Sequence, residues 1–324
     1  MRVAISGLGT IWTRHLETLS AIDGVEVVAA ADPALAGGNN TTIPSYRSFE
    51  AMLDDTDTDA VVLCTPSWLH AEQGAYAADR GIHVISEKPL ATTLPQADTV
   101  IEACRRNGVR LAVLHQYRFH APLIALKQAI DRGDLGRLAF VNVAFHWRRD
   151  RSYYEKDGGW RGTWRGDGGG ALMNQGAHAV DLVRWLGGPI ETVAACSTNV
   201  QHAIEAEDTI SVVLRFRNGG LGTIQVTTCA SRNHPAVVQV QGTEGSATST
   251  GAGLSFNGGD FITTECGAPH RAQFVEIFRA IEDGLAPPVE GDDARQTLAD
   301  TIAMYESAHT GAAVTCRAAA VTAD

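Results

Sequence analysis

Residues 2–12 read RVAISGLGTIW, and the reading of this stretch decides the fold. Arg2–Ser6 is a short apolar run of β character, Gly7-Leu8-Gly9-Thr10-Ile11-Trp12 follows as a glycine turn, and a helical pattern opens behind it. Glycines directly after a strand let the chain turn tightly and bring backbone N–H groups against a pyrophosphate, which then rests on the helix N-terminus. A GxG pair alone is weak. Its context strengthens it, because Asp32 closes the next apolar run about 20 residues on, where a carboxylate meets adenosine ribose hydroxyls. The plain alternative is a glycine-rich turn with a surface Asp. Trp12 is irregular, since the third fingerprint position usually holds Gly or Ala where helix and strand pack closely. Its ring either swings outward toward cofactor or substrate, or serves as a hydrophobic anchor. Both readings stand.

Working outward, apolar runs at 25–31, 60–64, 83–86 and 110–115 alternate with amphipathic stretches such as 94–107, whose apolar positions are Ala97, Val100, Ile101 and Cys104. Strands alternating with helices imply βαβ units and a parallel sheet. Gly37–Thr42 (GGNNTT) reads as a loop with its usual helix short or missing. After Pro122 the grammar changes. A helix over 122–132 leads to a long strand, 138–147, a Gly- and Trp-rich loop, and one helix running to Trp185. From Glu191 the pattern is mostly antiparallel strands, with turns at Asn218-Gly219-Gly220 and Thr243-Glu244-Gly245. Helices near 272–283 and 293–308 close the chain. No repeat or low-complexity tract interrupts it. The expected division is an α/β domain over 1–120 and an α+β domain over 121–324.

A chain of 324 residues buries about 75% of its unfolded surface and needs no staples. With 26 Lys+Arg against 37 Asp+Glu its charge is −11, a poor match to nucleic acid, which calls for a broad basic surface. No apolar run approaches the roughly 20 residues of a membrane span. The N-terminus lacks the long apolar core of a signal peptide, so a cytoplasmic location is expected. The six cysteines, Cys64, Cys104, Cys196, Cys229, Cys266 and Cys316, lie far apart without a CxxC pair, as reduced thiols do.

Two further signals carry chemistry. The fourth strand ends in Ser86-Glu87-Lys88-Pro89, and ligands bind outside the carboxyl ends of such strands. A lysine beside a nicotinamide cation is disfavoured as ammonium, which suits proton transfer. A solvated surface charge is the competing reading. The other signal is Asn174-Gln175-Gly176-Ala177-His178-Ala179-Val180-Asp181. At roughly 100° per residue, Asn174, His178 and Asp181 share a face about 60° wide on an otherwise apolar helix. Such a stripe lines a cleft, although a lone His there is often a satisfied core residue. No second His or Cys has metal-ligand spacing, so no metal is expected, and the absence of GxSxG disfavours a serine hydrolase.

Taken in order, Gly7-x-Gly9 with Arg14-His15, Asp32-Pro33, Cys64-Thr65-Pro66 with His70, Glu87-Lys88-Pro89, and Asn174-x-Gly176-x-His178-x-x-Asp181 resemble the glucose–fructose oxidoreductase, inositol dehydrogenase and rhizopine-catabolism (Gfo/Idh/MocA) family. Gly159-Trp160-Arg161-Gly162-Thr163-Trp164 and Tyr305-Glu306-Ser307-Ala308 extend the likeness over essentially the whole chain. The resemblance implies an α/β Rossmann domain followed by an α+β domain with a large, mainly antiparallel open sheet, assembled as a homodimer or homotetramer. It implies NAD, NADP being less favoured, held by Gly7, Gly9, Thr10, Ile11, Trp12, Asp32, Thr65, Pro66, His70, Glu87 and Lys88. It implies Lys88 and His178 as catalytic residues. The substrate residues it implies are Lys88, Tyr117, Arg118, Arg149, Tyr153, Trp160, Arg161, Trp164, Asn174, His178 and Asp181. Asn174 stands where inositol dehydrogenases carry Asp, a lean toward the branch of the UDP-N-acetylglucosaminuronate oxidases.

The leading expectation is hydride transfer between a nicotinamide and a secondary alcohol or ketone of a sugar, cyclitol or nucleotide sugar. A glycoside-cleaving oxidation–elimination route and a non-catalytic NAD-binding sensor are the competing classes. One local feature speaks to the substrate. From His146 to Arg165, Arg148, Arg149, Arg151, Lys156, Arg161 and Arg165 outnumber Asp150, Glu155 and Asp157, opposite in sign to the whole. Arg forks suit carboxylate or phosphate, and Trp and Tyr faces suit stacking on a sugar or base. An anionic substrate is therefore expected, against the bland reading of a solvated loop anchored by its aromatics.

Overall fold

The structure is a computed structural model describing residues 1–35, 43–251, 253–262 and 267–316; the expected loop at 37–42 lies outside the described residues. Two compact units result, Met1–Leu114 with His270–Arg295, and His115–Pro269 with Gln296–Asp324.

In the first unit, β1 (Arg2–Ser6), α1 (Trp12–Ser20), β2 (Glu26–Ala31), β3 (Ser45–Tyr46), α2 (Phe49–Asp55), β4 (Ala60–Leu63), α3 (His70–Ala78), β5 (His83–Ser86), α4 (Leu94–Arg106) and β6 (Leu111–Val113) follow in order. The six strands pair in parallel in the order β3-β2-β1-β4-β5-β6. Strands covered on both faces are apolar throughout, and all four residues of β4 are buried. Sequence sets the helix starts as well. Ser48 and Thr93 accept N–H bonds from the first turns of α2 and α4, and Pro95 fills the second position of α4.

The second unit contains α5 (Ala121–Asp131), β7 (Leu138–His146), α6 (Arg151–Glu155), α7 (Ala171–Asn174), α8 (Ala177–Gly187), β8 (Ile190–Thr198), β9 (Thr209–Phe216), β10 (Leu221–Thr227), β11 (Val237–Gly242), β12 (Ser246–Thr250) and β13 (Gly253–Phe256). Helices α9 (Pro269–Glu282) and α10 (Gly291–Thr310) and strand β14 (Val314–Thr315) end the described chain. The eight strands run β13-β12-β11-β7-β10-β9-β8-β14, antiparallel except where β7 lies parallel to β10. Alternation is clean in β9. Ile210, Val212, Leu214 and Phe216 enter a core with Val180, Val183 and Leu186 of α8, while Ser211, Val213 and Arg215 face outward.

The expected division at 120/121 gave all of the C-terminal part to one domain, whereas 270–295 packs with the first unit. The reason is hydrophobic: Phe274, Ile277 and Phe278 of α9 are buried among Val3, Ile5, Val62 and Ile85.

Candidate active site

Strand order reverses between β1 and β4, the switch point at which open α/β sheets bind ligands. Gly7 follows β1 there with φ 92°, and a Cβ on it would fall 2.6 Å from the Thr65 backbone nitrogen and 2.7 Å from the Cys64 carbonyl carbon. Only glycine fits. Around Gly9 there is open space, and no side chain caps the N-terminus of α1, so its first N–H groups are available to an anion. Asp32 closes the turn: Oδ2 accepts the Leu8 N–H at 2.7 Å and Oδ1 the Ala34 N–H at 2.8 Å. Each oxygen keeps a lone pair for ribose hydroxyls, so these residues fit a dinucleotide. Trp12 begins α1 and packs half-buried against the core that contains Val3, Ile5 and Leu19.

Lys88 lies half-buried just past the carboxyl end of β5. Its neighbour Glu87 pairs with buried His15 at 2.8 Å. Burial works to raise the Glu87 carboxyl, but the His15 hydrogen bond and the His15, Lys88 and His270 charges outweigh it and hold the pKa at about 2. His70 was expected at the cofactor, yet its ring is buried. Nδ1 and Nε2 each lie 2.8 Å from a carbonyl oxygen, of Pro89 and Thr65, so His70 braces the loop carrying Lys88 against the loop after β4. Burial lowers its pKa, and the two carbonyl contacts oppose that. Thr65 is half-buried and donates from Oγ1 to Gln73 Oε1 at 2.9 Å; Pro66 is half-buried, Ile11 likewise, and Thr10 is exposed.

In the second unit the single helix expected through Asn174, His178 and Asp181 is broken at Gln175-Gly176. A Cβ on Gly176 would meet Leu172 Cα and O at 2.8 Å and Val226 Cγ2 at 2.9 Å. Its N–H donates five residues back to Ala171, and its carbonyl starts α8 by accepting from Ala179 and Val180. The shared stripe is thereby divided. His178, 4% exposed, sits with Tyr117 (ring centroids 5.1 Å) and the amide nitrogen of Gln116, 3.3 Å from Nε2. Asp181 is fully buried and takes Arg118 on both oxygens, Nε to Oδ2 at 2.9 Å, so this carboxylate positions Arg118 and does not open to solvent. Burial pushes the Tyr117 hydroxyl up to about 12.

Asn174 belongs to a different network. Its amide donates to both oxygens of buried Asp167 (3.0 and 2.9 Å), and its Oδ1 accepts from the Tyr153 hydroxyl at 3.2 Å. Gln175 donates to the same hydroxyl at 2.7 Å. The Tyr153 ring carries two guanidiniums, Arg149 at 5.2 Å and Arg161 at 5.0 Å. Arg161 also lies 4.6 Å over Trp160 and pairs with Asp157, while Arg148 and Arg151 take Asp150 and Glu155. Arg149 has no carboxylate within salt-bridge distance among the described residues; its guanidinium meets the Arg148 carbonyl at 2.8 Å and stacks on Trp147 at 5.4 Å. Trp164 is half exposed, edge-on to Tyr305. Behind α7, Glu207 accepts N–H bonds from Gly170 and Leu172, 3.2 and 2.7 Å, and the Tyr305 O–H at 3.1 Å. Sequence reasoning missed Gln116, Asp167, Gln175 and Glu207, which are joined to the site only through space.

A glycine turn and a fixed carboxylate after β2 on this sheet fit a dinucleotide, and the chain's relatives make it an oxidoreductase acting on CH–OH groups. The chain belongs to the GFO/IDH/MocA family: residues 1–115 match the oxidoreductase family's NAD-binding Rossmann fold, and 123–248 its GFO/IDH/MocA C-terminal domain. D-xylose 1-dehydrogenase (NADP(+)) 2 of Haloferax volcanii is 30% identical over 330 residues, 95% of this chain and 98% of that protein. Myo-inositol 2-dehydrogenase of Thermotoga maritima is 26% identical, spanning 92% and 93%. The WlbA dehydrogenase of Bordetella pertussis, solved with NADH and UDP-GlcNAcA, superposes with a TM-score of 0.91 at 32% identity, covering 98% of both chains. Among the described residues, no helix is long and apolar enough to cross a membrane.

Proposed function

We propose that this chain is an NAD-dependent dehydrogenase of a sugar bearing a carboxylate or phosphate, a nucleotide-sugar uronate being the preferred class. The observation that carries the substrate class is the Arg149–Tyr153–Arg161 stack, in which Arg149 has no carboxylate within salt-bridge distance among the described residues. A planar guanidinium held on an aromatic face is arranged to receive a carboxylate or phosphate in two-point contact. The UDP-GlcNAcA bound by the 32%-identical WlbA dehydrogenase supports the same class.

Gly7, Gly9 and the N-terminus of α1 would hold the pyrophosphate of NAD, and Asp32 its adenosine ribose. When bound, NAD supplies the hydride acceptor. The protein's own task is the hydroxyl proton. The Gln116 side-chain amide nitrogen lies 3.3 Å from Nε2 of His178, the imidazole that would take the proton. The Asp181–Arg118 pair and the Tyr117 ring fix the imidazole's surroundings. Lys88, on a loop braced by His70, is the other proton-transfer group.

Lys88→Met and His178→Ala are each expected to lower turnover by on the order of 10²–10⁴, the worth of a positioned proton-transfer group, while NAD binding followed by fluorescence is largely spared. Near-normal turnover in either variant removes that residue from the reaction. Joint loss of NAD affinity and activity assigns it a structural part.

A further inference from the structure

We propose that His202, Asp208 and Cys229 form a binding site for a divalent transition-metal ion of the zinc class, separate from the residues that serve hydride transfer. A ring nitrogen, a carboxylate oxygen and the thiol sulfur of these residues all lie within 4.8 Å of one another. They come from the loop before β9, the residue preceding β9, and the segment just after β10.

His202 offers an open ligand position, and Asp208 is a buried carboxylate fixed in place by four donors. His202 is 8% exposed, and its Nε2 is buried without a hydrogen-bond partner among the described residues. A buried imidazole nitrogen left unpaired is costly unless something completes it. Asp208 is fully buried, and its oxygens are held by the N–H groups of Val200 (2.9 Å), Gln201 (2.8 Å) and His202 (2.9 Å) and by the Thr209 hydroxyl (3.0 Å). Those donors are all neutral. The Cys229 sulfur lies within 4.8 Å of the Asp208 carboxylate and the His202 ring, and its backbone N–H donates to Thr227 Oγ1 at 3.1 Å.

Charge and coordination agree. One thiolate, one carboxylate and one neutral imidazole around a dication sum to zero, which satisfies the interior as no bare cluster does. Imidazole with thiolate selects zinc-class ions over magnesium or calcium. Bonds of about 2.0–2.3 Å at a tetrahedral centre place ligand atoms roughly 3.3–3.8 Å apart, so a cluster whose atoms lie within 4.8 Å of one another contracts by at most about 1.5 Å on binding. On uptake the Cys229 S–H bond breaks, a sulfur–metal bond forms, and one proton leaves to solvent. The Tyr154 ring lies 4.8 Å from that of His202, and its hydroxyl meets Thr228 Oγ1 at 2.8 Å, so the ion would also brace α6, which carries Tyr153.

The test uses the full-length protein stripped with chelator and titrated with Co²⁺ alone, then with Zn²⁺ in competition. The expected result is a thiolate-to-cobalt charge-transfer band, saturating at one ion per chain, displaced by Zn²⁺ and accompanied by proton release. Cys229→Ser should abolish the band. His202→Ala should weaken binding by on the order of tenfold or more, since loss of a direct ligand costs at least what loss of its supporting partner does. Absence of the band in the unaltered chain overturns the proposal, whether or not the variants fold. A band that persists in both variants overturns it too, because the ion then lies elsewhere.

Discussion

Replacing Asp32 by Ser tests the adenosine end of the cofactor site. Its carboxylate cannot swing aside, because Leu8 N–H holds one oxygen at 2.7 Å and Ala34 N–H the other at 2.8 Å. A ribose 2′-phosphate would stand against that fixed charge. Two unit charges about 4 Å apart repel by ~4 kcal/mol at an effective dielectric of about 20. Asp32 is partly exposed, and halving for solvent screening leaves about 2 kcal/mol, or about thirtyfold. The unaltered chain is therefore expected to favour NAD over NADP by about thirtyfold in kcat/KM. Asp32→Ser removes the repulsion together with an acceptor for Leu8 N–H, so NAD use should fall while the ratio moves close to parity. Steady-state kinetics with both cofactors, at low and high salt, reads this directly, and the preference should shrink as salt rises. Equal kcat/KM in the unaltered chain, or an unchanged ratio in the variant, refutes the reasoning.

Other expectations concern the second unit. Arg149→Ala and Arg161→Ala, assayed on an anionic substrate and its neutral analogue, should lower kcat/KM for the anion in at least one variant, most at low salt, and leave the neutral compound unaffected. Asp181→Asn breaks a buried ion pair and should cost about 3–5 kcal/mol in denaturant unfolding; a cost under about 1 kcal/mol would show that Arg118 is satisfied otherwise. Burial lifts the Glu207 carboxyl to about 7, against its N–H and O–H donors, while an unperturbed glutamate has 4.5. Between those values the folded state binds more protons than the unfolded one, so stability falls as pH rises, by about 3 kcal/mol in all. Glu207→Gln should flatten this dependence, and identical pH–stability curves for the two proteins would contradict it.

What the sequence disclosed was local. Strand–turn–helix at 2–12, Asp32 closing β2 and the Asn218-Gly219-Gly220 hairpin are signals carried by adjacent residues, and the structure reproduces each. The requirement for glycine at the helix break was hidden because what crowds position 176 is a side chain 50 positions away, Val226, together with the Leu172 backbone. Periodicity alone therefore put Asn174 on the face of His178. Helix α9 shows an apolar face but nothing that says which core receives Phe274 and Ile277. Asp181 read as a polar residue lining a cleft, since its partner Arg118 lies 63 residues away. His202, Asp208 and Cys229 have no ligand-like spacing; only the return of β10 alongside β9 brings them together.

The central claim is that this chain oxidises an anionic sugar with net reduction of NAD. The direct measurement incubates the full chain with NAD and either UDP-GlcNAcA or the same nucleotide sugar lacking the carboxylate, following cofactor absorbance and product mass together. The account predicts NADH formed in step with a product lighter by two hydrogens, and kcat/KM for the uronate at least about tenfold above that of the compound lacking the carboxylate, as expected for one lost charge contact of about 1.4 kcal/mol. Faster turnover of the compound lacking the carboxylate, or sugar cleavage without net NADH, would contradict it.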